Sequence, residues 1–416
     1  MMNIAVIAIG DELLLGNVTD TNTPYIAAAS DRIGLRMVYS CHVADDAEEI
    51  YAAIDLAMSK ADVVITTGGL GPTKDDITKE VMCRYFGGEM RKDEAVARHV
   101  EEIFRKKGLP MNELTATQAM VPESCIVVEN AVGTAPVMWF ELDGKVLVSM
   151  PGVPREMRYV LDHEVIPRLC SRFELQSAQL HHLFIATEGI SESDVNTRIE
   201  TMADDSALRR VHVAYLPQTG YLKLRLDAED AELLGAAERE FYSQFGVYVI
   251  FKGDITPAEA LVNRLRACGL TVASAESCTG GNIAHQLTLI AGCSDVYQGS
   301  VVSYSNEVKM NLLGVSKHTL ESYGAVSVEV AYQMAEGVAK AVGTDCAMAT
   351  SGIAGPGGAT PGKPVGTVCI AVKTPSGTTS DVYHFTGGRS EVIARATVKA
   401  VTLLLKGLGC QATRLS

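Results

Sequence analysis

The strongest constraint on this chain is a rhythm in its first third. Short apolar runs at 3–9, 36–41 and 62–66 alternate with helix-period segments at 23–33 and 47–59, joined by brief turns. Strands that alternate with helices in this way imply a parallel sheet covered on both faces. Such sheets bind ligands at the carboxyl ends of their strands. The third run leads straight into Gly68-Gly69-Leu70-Gly71-Pro72, so a glycine-rich turn falls at one of those ends. A strand at 145–149 and a helix from Pro154 close the region near residue 170.

The rhythm then changes. Between 179 and 252 the pattern gives strands at 182–186, 221–226 and 247–250 and helices at 193–202 and 228–245, a small α+β unit without a catalytic-looking cluster. A helix-start signal, Thr256-Pro257 with Glu259, opens a third region: a helix at 256–268, a strand at 271–275 and further α/β pattern to the end. The predicted fold class is therefore α/β: two α/β domains with mainly parallel sheets, 1–170 and 256–416, joined by a small α+β domain at 171–255. The length of 416 residues suits this count.

Charge narrows the partners. The net charge is −14, divided as −16 before Thr256 and +2 after it. Neither part has the basic face a general polyanion binder needs, so no nucleic acid is expected. A small phosphate ligand needs only a few donors. No apolar stretch reaches the ~18 residues of a membrane span, and 1–9 reads as a buried strand without the basic region of a signal peptide. The ten cysteines are scattered with no C-x-x-C pair, which argues against a zinc knuckle and for reduced thiols in a cytoplasmic protein.

The densest polar cluster is Glu276-Ser277-Cys278-Thr279-Gly280-Gly281, between a strand and a helix at 282–289. A Ser or Cys there sits beside free N–H groups that can hold an oxyanion, which suits a nucleophile. Equally, Ser277 or Thr279 can cap the helix. A serine needs a base. None of His285, His318 and His384 sits in a turn beside a glycine loop, so a Ser-His-Asp triad has little support. Lys309, near Tyr304 in a strand-to-helix segment, can serve instead if its pKa is lowered, although spacing is also compatible with a solvated lysine. Two further segments are Ser351-Gly352-Ile353-Ala354-Gly355-Pro356 and Gly387-Gly388-Arg389. Arg389 suits a phosphate, and the glycine-rich stretch 352–366 suits a ligand-facing loop or a lid. The first of these echoes Thr67–Pro72 in the form [TS]-G-x-x-G-P, so two separate phosphate-facing loops are expected.

Together the segments A-E-S-C-T-G-G (275–281), Y-S-N-E-V-K (304–309), G-A-V-S (324–327), S-G-I-A-G-P (351–356), K-P-V-G-T-V (363–368) and F-T-G-G-R (385–389) resemble the C-terminal domain of the competence/damage-inducible CinA family, shared with stand-alone nicotinamide-nucleotide amidases (PncC). The resemblance implies hydrolysis of nicotinamide mononucleotide to nicotinate mononucleotide and ammonia, without a cofactor. It implies Ser277 as nucleophile, Lys309 as its activator, Tyr304 and Ser351 as helpers, and Thr279, Gly280, Gly281, Gly352, Gly355 and Arg389 as substrate-binding residues.

The segments G-D-E-L-L-L-G (10–16), D-T-N (20–22), T-T-G-G-L-G-P-T-K-D-D (66–76) and M-P-G-V-P-R-E-M (150–157) resemble the N-terminal domain of the same family, itself similar to molybdopterin-binding domains of the MoaB/MogA type. This implies a divalent-metal-dependent ADP-ribose pyrophosphatase releasing AMP and ribose 5-phosphate. Gly68, Gly69, Gly71 and Asn22 would bind substrate, and Asp75, Asp76 and Glu12 would hold the metal. Asp75 and Asp76 could instead cap a helix at 76–86. The middle segment corresponds to the family's KH-like domain, without a G-x-x-G loop. A cytoplasmic homodimer is expected. Two rival readings stay open: a non-catalytic nucleotide sensor or competence-associated scaffold, and a molybdopterin-binding first domain.

Overall fold

The computed structural model describes residues 2–175 and 180–409; the boundary at 179, Met1 and Cys410 lie outside them. The chain divides into two compact units, 1–180 and 181–416.

The first unit is built on a six-stranded sheet in the order Leu35–Val43, Met2–Ile9, Val63–Thr67, Lys145–Met150, Val137–Leu142, Ile126–Val128. The first four strands run parallel and the last two join antiparallel. Side-chain alternation sorts the apolar residues between two cores. Ala5, Ile7 and Ile9 face one and Ile4 and Val6 the other, so a one-residue slip would exchange the faces. Helix Ala47–Lys60 packs Ile50, Ala53, Ile54, Ala57 and Met58 on the first. That spacing is the apolar stripe of a 3.6-residue repeat. Asp46 caps this helix by accepting from the Glu48 and Glu49 N–H groups. Helices Asn22–Asp31 and Pro154–Val160 cover the second core. Ala8 pairs with Thr67 and Thr67 with Met150, so the loops after residues 9, 67 and 150 emerge at one edge.

The second unit contains two sheets. Strands His212–Gln218, Tyr221–Ala228, His181–Thr187 and Val249–Lys252 form an antiparallel sheet in that order. Helices Glu192–Glu200 and Ala231–Phe245 bury Val195, Ile199, Phe241 and Phe245 against one face. Ala186, Ile250 and Phe251 join a different core, with Leu404 and Leu405 of helix Arg389–Gly407. The segments 171–255 and 256–416 thus share packing.

The other sheet has the order Tyr297–Val302, Val272–Glu276, Cys346–Gly352, Thr367–Thr374, Gly377–His384. Its first three strands are parallel and the closing hairpin is antiparallel. The α/β class holds for both units. Helices Pro257–Cys268 and Arg389–Gly407 cover one face. The other face is lined by Ala273, Ala275, Ala347, Ala349 and Ala371, against which helix Val328–Val342 packs. Thr256 caps its helix as expected, accepting from the Glu259 N–H at 3.2 Å.

Candidate active site

Ser277 is the first residue beyond strand Val272–Glu276, and its N–H donates to Thr350 O at 2.9 Å, which fixes it against the neighbouring strand. Lys309 comes from helix Asn306–Leu313, capped by Ser305. That helix lies close to helix Val328–Val342 because Gly337 has no side chain: a Cβ there would meet Leu313 O at 1.9 Å. A mid-helix glycine costs about 1 kcal/mol relative to alanine, and here it permits the close approach of the two helices. The lysine is 1% exposed, and its Nζ donates to Ser277 Oγ at 3.0 Å and to Ser303 O at 2.6 Å. Burial pushes its pKa down from the ordinary lysine value. A partly neutral amine beside a hydroxyl is what proton removal requires. Its neighbour Cys278 is also buried, and desolvation pushes its thiol up to about 12, so the thiolate is scarce at neutral pH.

Glu276 was not singled out from the sequence, yet it organises the turn. Its carboxylate is fully buried and accepts from the N–H groups of Gly281, Ile283 and Ala284 at 2.9–3.0 Å and from Thr279 Oγ1 at 2.8 Å. The amides of Gly281, Ile283 and Ala284 at the helix start are therefore taken by a side chain. Thr279 is buried between Glu276 and Thr350 Oγ1, and Gly280 N–H donates to Ser277 O. Thr279, Gly280 and Gly281 shape the turn and are not among the residues that line the cavity.

That cavity holds about 230 Å³ and brings together Ser277, Lys309, Tyr304, Ser351, Gly352 and Arg389. Cys278, Asn306, Ala325, Val326 and Ala354 complete it; the last four lie in the segments that carry the resemblance but were not named as site residues. Ser351 is buried and donates from Oγ to Ala325 O at 2.6 Å. It thereby fixes the wall and makes no hydrogen bond with the Ser277–Lys309 pair. Arg389 donates to Gly355 O at 2.8 Å and to Tyr304 Oη at 3.0 Å, forming an exposed rim. The stretch 352–366 is tied down: Ile353 N–H donates to Thr367 O, Gly366 N–H to Ile353 O, and Lys363 Nζ to Tyr323 O.

In the first unit a cavity of about 470 Å³ opens at the carboxyl ends of the central strands, lined by Gly68, Gly69, Gly71, Glu12, Asp75 and Asp76 among others. Gly68 has φ 111°, and a Cβ there would lie 2.1 Å from Ile9 O, so only glycine fits. Asp76 accepts from Gly71 N–H at 2.8 Å and Thr73 N–H at 2.9 Å, and from the Thr73 hydroxyl. It braces the glycine loop, and the helix starts later than expected, as Thr78–Phe86. Asp76 is thus engaged by the loop, while Glu12, Asp75 and Asp76 line the same cavity. No three His, Cys, Asp or Glu side chains gather into a metal site among the described residues. Burial, with the neighbouring charges of Asp11, Glu12 and Asp75, pushes the Asp45 carboxyl upward. Asn22 is buried and donates from Nδ2 to Thr67 Oγ1 at 3.0 Å and Gly152 O at 2.8 Å. It lines an adjoining cavity of about 80 Å³ that also contains Glu12.

Comparison with known proteins matches residues 254–408 to the CinA C-terminal domain and 5–171 to a probable molybdopterin binding domain. A CinA-like protein of Flavobacterium psychrophilum is 38% identical over 97% of this chain and 98% of its own length. The chain belongs to the CinA family. A putative competence-damage inducible protein of Clostridium novyi is 38% identical over 98% of this chain and 99% of its own. A crystal structure of a competence/damage inducible protein from Agrobacterium tumefaciens, at 39% identity, covers 36% of this chain and 92% of that one with a TM-score of 0.35. Among the described residues of this CinA-family chain no helix is long and apolar enough to cross a membrane.

Proposed function

We propose that the second unit of this CinA-family protein hydrolyses the carboxamide of nicotinamide mononucleotide. The observation that carries the reading is the 3.0 Å contact between Lys309 Nζ and Ser277 Oγ, with the lysine buried. In the neutral state Lys309 accepts the Ser277 proton as Oγ attacks the carboxamide carbon. Ammonia departs with that proton, leaving a nicotinoyl ester on Ser277. Water then attacks the ester, Lys309 takes its proton and returns it to Ser277, and nicotinate mononucleotide is released. Arg389 and Tyr304 at the rim suit the nucleotide phosphate and ribose. The test is ammonia release from nicotinamide mononucleotide by the full chain and by Ser277→Ala. Retained turnover in that variant would reject the reading.

For the first unit the reading is cleavage of ADP-ribose to AMP and ribose 5-phosphate. A glycine loop at the strand ends and a 470 Å³ cavity support it. No step is assigned to a metal, since no three candidate ligands gather into one site among the described residues. The match to a probable molybdopterin binding domain favours a second reading, tight pterin binding without turnover. AMP formation from ADP-ribose separates the two. A homodimer belongs to the same proposal, and light scattering at micromolar concentration checks it.

A further inference from the structure

Gln118 lies in the short turn Thr117–Ala119 that leads into strand Met120–Pro122. It is 1% exposed and lines the same cavity as the 68–71 glycine loop. Both ends of its carboxamide, Nε2 and Oε1, are buried and have no hydrogen-bond partner among the described residues. A buried amide normally satisfies both ends, because each unmet donor or acceptor costs free energy. Two unmet ends on one side chain at a cavity wall mark a group held for something that enters.

The turn is pinned from both sides. Lys79 Nζ donates to Thr117 O at 2.9 Å, and Asp93 N–H donates to Ala119 O at 2.8 Å. Lys79 follows directly on Thr78, whose hydroxyl donates to Gly68 O and whose N–H donates to Gly69 O. The glycine loop and the Gln118 turn are thus braced by two consecutive residues of one helix. Lys79 is itself buried, and desolvation holds its pKa below the ordinary lysine value.

We propose that Gln118 reads the edge of a heteroaromatic base whose amino donor and ring-nitrogen acceptor lie side by side, while the glycine loop takes the attached phosphate. A planar carboxamide offers one donor and one acceptor at the spacing such an edge presents, as glutamine does to adenine. Inorganic phosphate groups and ribose lack that edge. The inference rests on the nucleotide reading of the first unit and names the part of the ligand that confers specificity there. The chemistry is shared by an aminopurine nucleotide and a phosphorylated pterin.

The test titrates the full chain, calorimetrically, with ADP, inorganic pyrophosphate and a phosphorylated pterin. Gln118→Met keeps the shape and removes both polar ends, and Gln118→Glu keeps an acceptor and removes the donor. Both are expected to weaken the base-containing ligand by about tenfold or more, the scale of a lost bidentate base contact. Pyrophosphate binding should stay within about twofold, and it reports that the cavity has folded. Loss of pyrophosphate binding by the same factor, or unchanged binding of the base-containing ligand, overturns the role of Gln118. Wild-type binding of the pterin but not ADP, weakened in both variants, supports the role of Gln118 and rejects the ADP-ribose reading. Binding of neither by the wild type rejects both.

Discussion

Arg389 reaches across 85 residues of sequence to donate from Nη2 to Tyr304 Oη at 3.0 Å. The arginine opens helix Arg389–Gly407, and the tyrosine follows strand Tyr297–Val302. Its second nitrogen, Nη1, donates to Gly355 O at 2.8 Å, so three separated segments meet at the cavity mouth. A planar fork held at two points is pre-organised for a phosphate, which a lysine cannot reproduce. Arg389→Ala and Arg389→Lys should raise KM for nicotinamide mononucleotide about tenfold or more with kcat changed far less. Tyr304→Phe should cost less, since Gly355 still orients the arginine. A fall in kcat at constant KM would place Arg389 in the chemical step instead.

Lys309 has a sharper signature. Its pKa is depressed by burial, so the unfolded chain binds the extra proton between the depressed value and the ordinary lysine value near 10.4. Through that interval stability rises with pH, and below it the native state bears the full cost of charging a buried amine. Activity should also rise with pH through the depressed value, because the proposed mechanism uses the neutral amine as base. Lys309→Met should therefore abolish turnover yet leave the protein as stable or more stable at pH 7, by about 1 kcal/mol. Thermal unfolding at pH 7 and a pH–rate profile check the two halves separately. A variant both inactive and strongly destabilised would show that the lysine serves packing.

Ser277 and Cys278 are adjacent but differ in environment. Both line the cavity, but Ser277 Oγ meets Lys309 Nζ, whereas the buried Cys278 thiol is pushed up to about 12. Ser277→Ala should cost about 3 kcal/mol or more in kcat/KM, and Cys278→Ala well under 1 kcal/mol. Deamidation rates of the two variants decide it. A dead Cys278→Ala beside an active Ser277→Ala would transfer the chemistry to the thiol.

Much of this was legible in the sequence, and the failures have physical causes. The apolar runs and the Thr256 cap were readable because local pattern fixes both. Ser277 and Lys309 were readable as a pair only through the motif resemblance, since 32 residues separate them and spacing alone left the lysine solvated. Strand His212–Gln218 was missed because it is a half-exposed edge strand that contains Pro217, so its alternation is weak. The bracing role of Asp76 was not legible, because an acidic residue after a glycine loop looks the same as a metal ligand or a loop brace until Gly71 and Thr73 are placed. Glu276 was missed because its partners become visible only when the turn closes over it. The one available signal was a carboxylate ending an otherwise apolar strand ahead of a helix.

That carboxylate gives a fourth prediction. Glu276 accepts three backbone N–H groups in a dry turn. Glu276→Gln replaces one acceptor oxygen by a donor and forces it against those N–H groups. Destabilisation of about 2–3 kcal/mol is expected, together with loss of amidase activity as Ser277 is displaced. Chemical denaturation of the variant measures the first, and activity at low temperature, where the fold persists, the second. Full stability would show that the turn holds without the carboxylate.

Glu188 supplies the last. It follows strand His181–Thr187 and accepts from Lys399 at 2.9 Å and from Lys406 at 2.5 Å, both on helix Arg389–Gly407, the helix that begins at the rim arginine. Burial alone would raise its pKa, but hydrogen bonds from Lys406 and Lys399 and their charges hold it below the ordinary value. A depressed carboxylate contributes stability that is complete above the unfolded value, near 4.3, and is lost as pH falls through the folded value. The antiparallel sheet should therefore loosen from the helix in that acid window. The two lysines are partly exposed, so solvent screens the pair, and Glu188→Gln should cost only about 1–2 kcal/mol at pH 7. The variant should also lose part of the steepness of acid unfolding below pH ~4. Stability curves from pH 3 to 7 for the wild type and Glu188→Gln test this. Curves that differ by a constant at every pH would show that the carboxylate contributes packing and not charge.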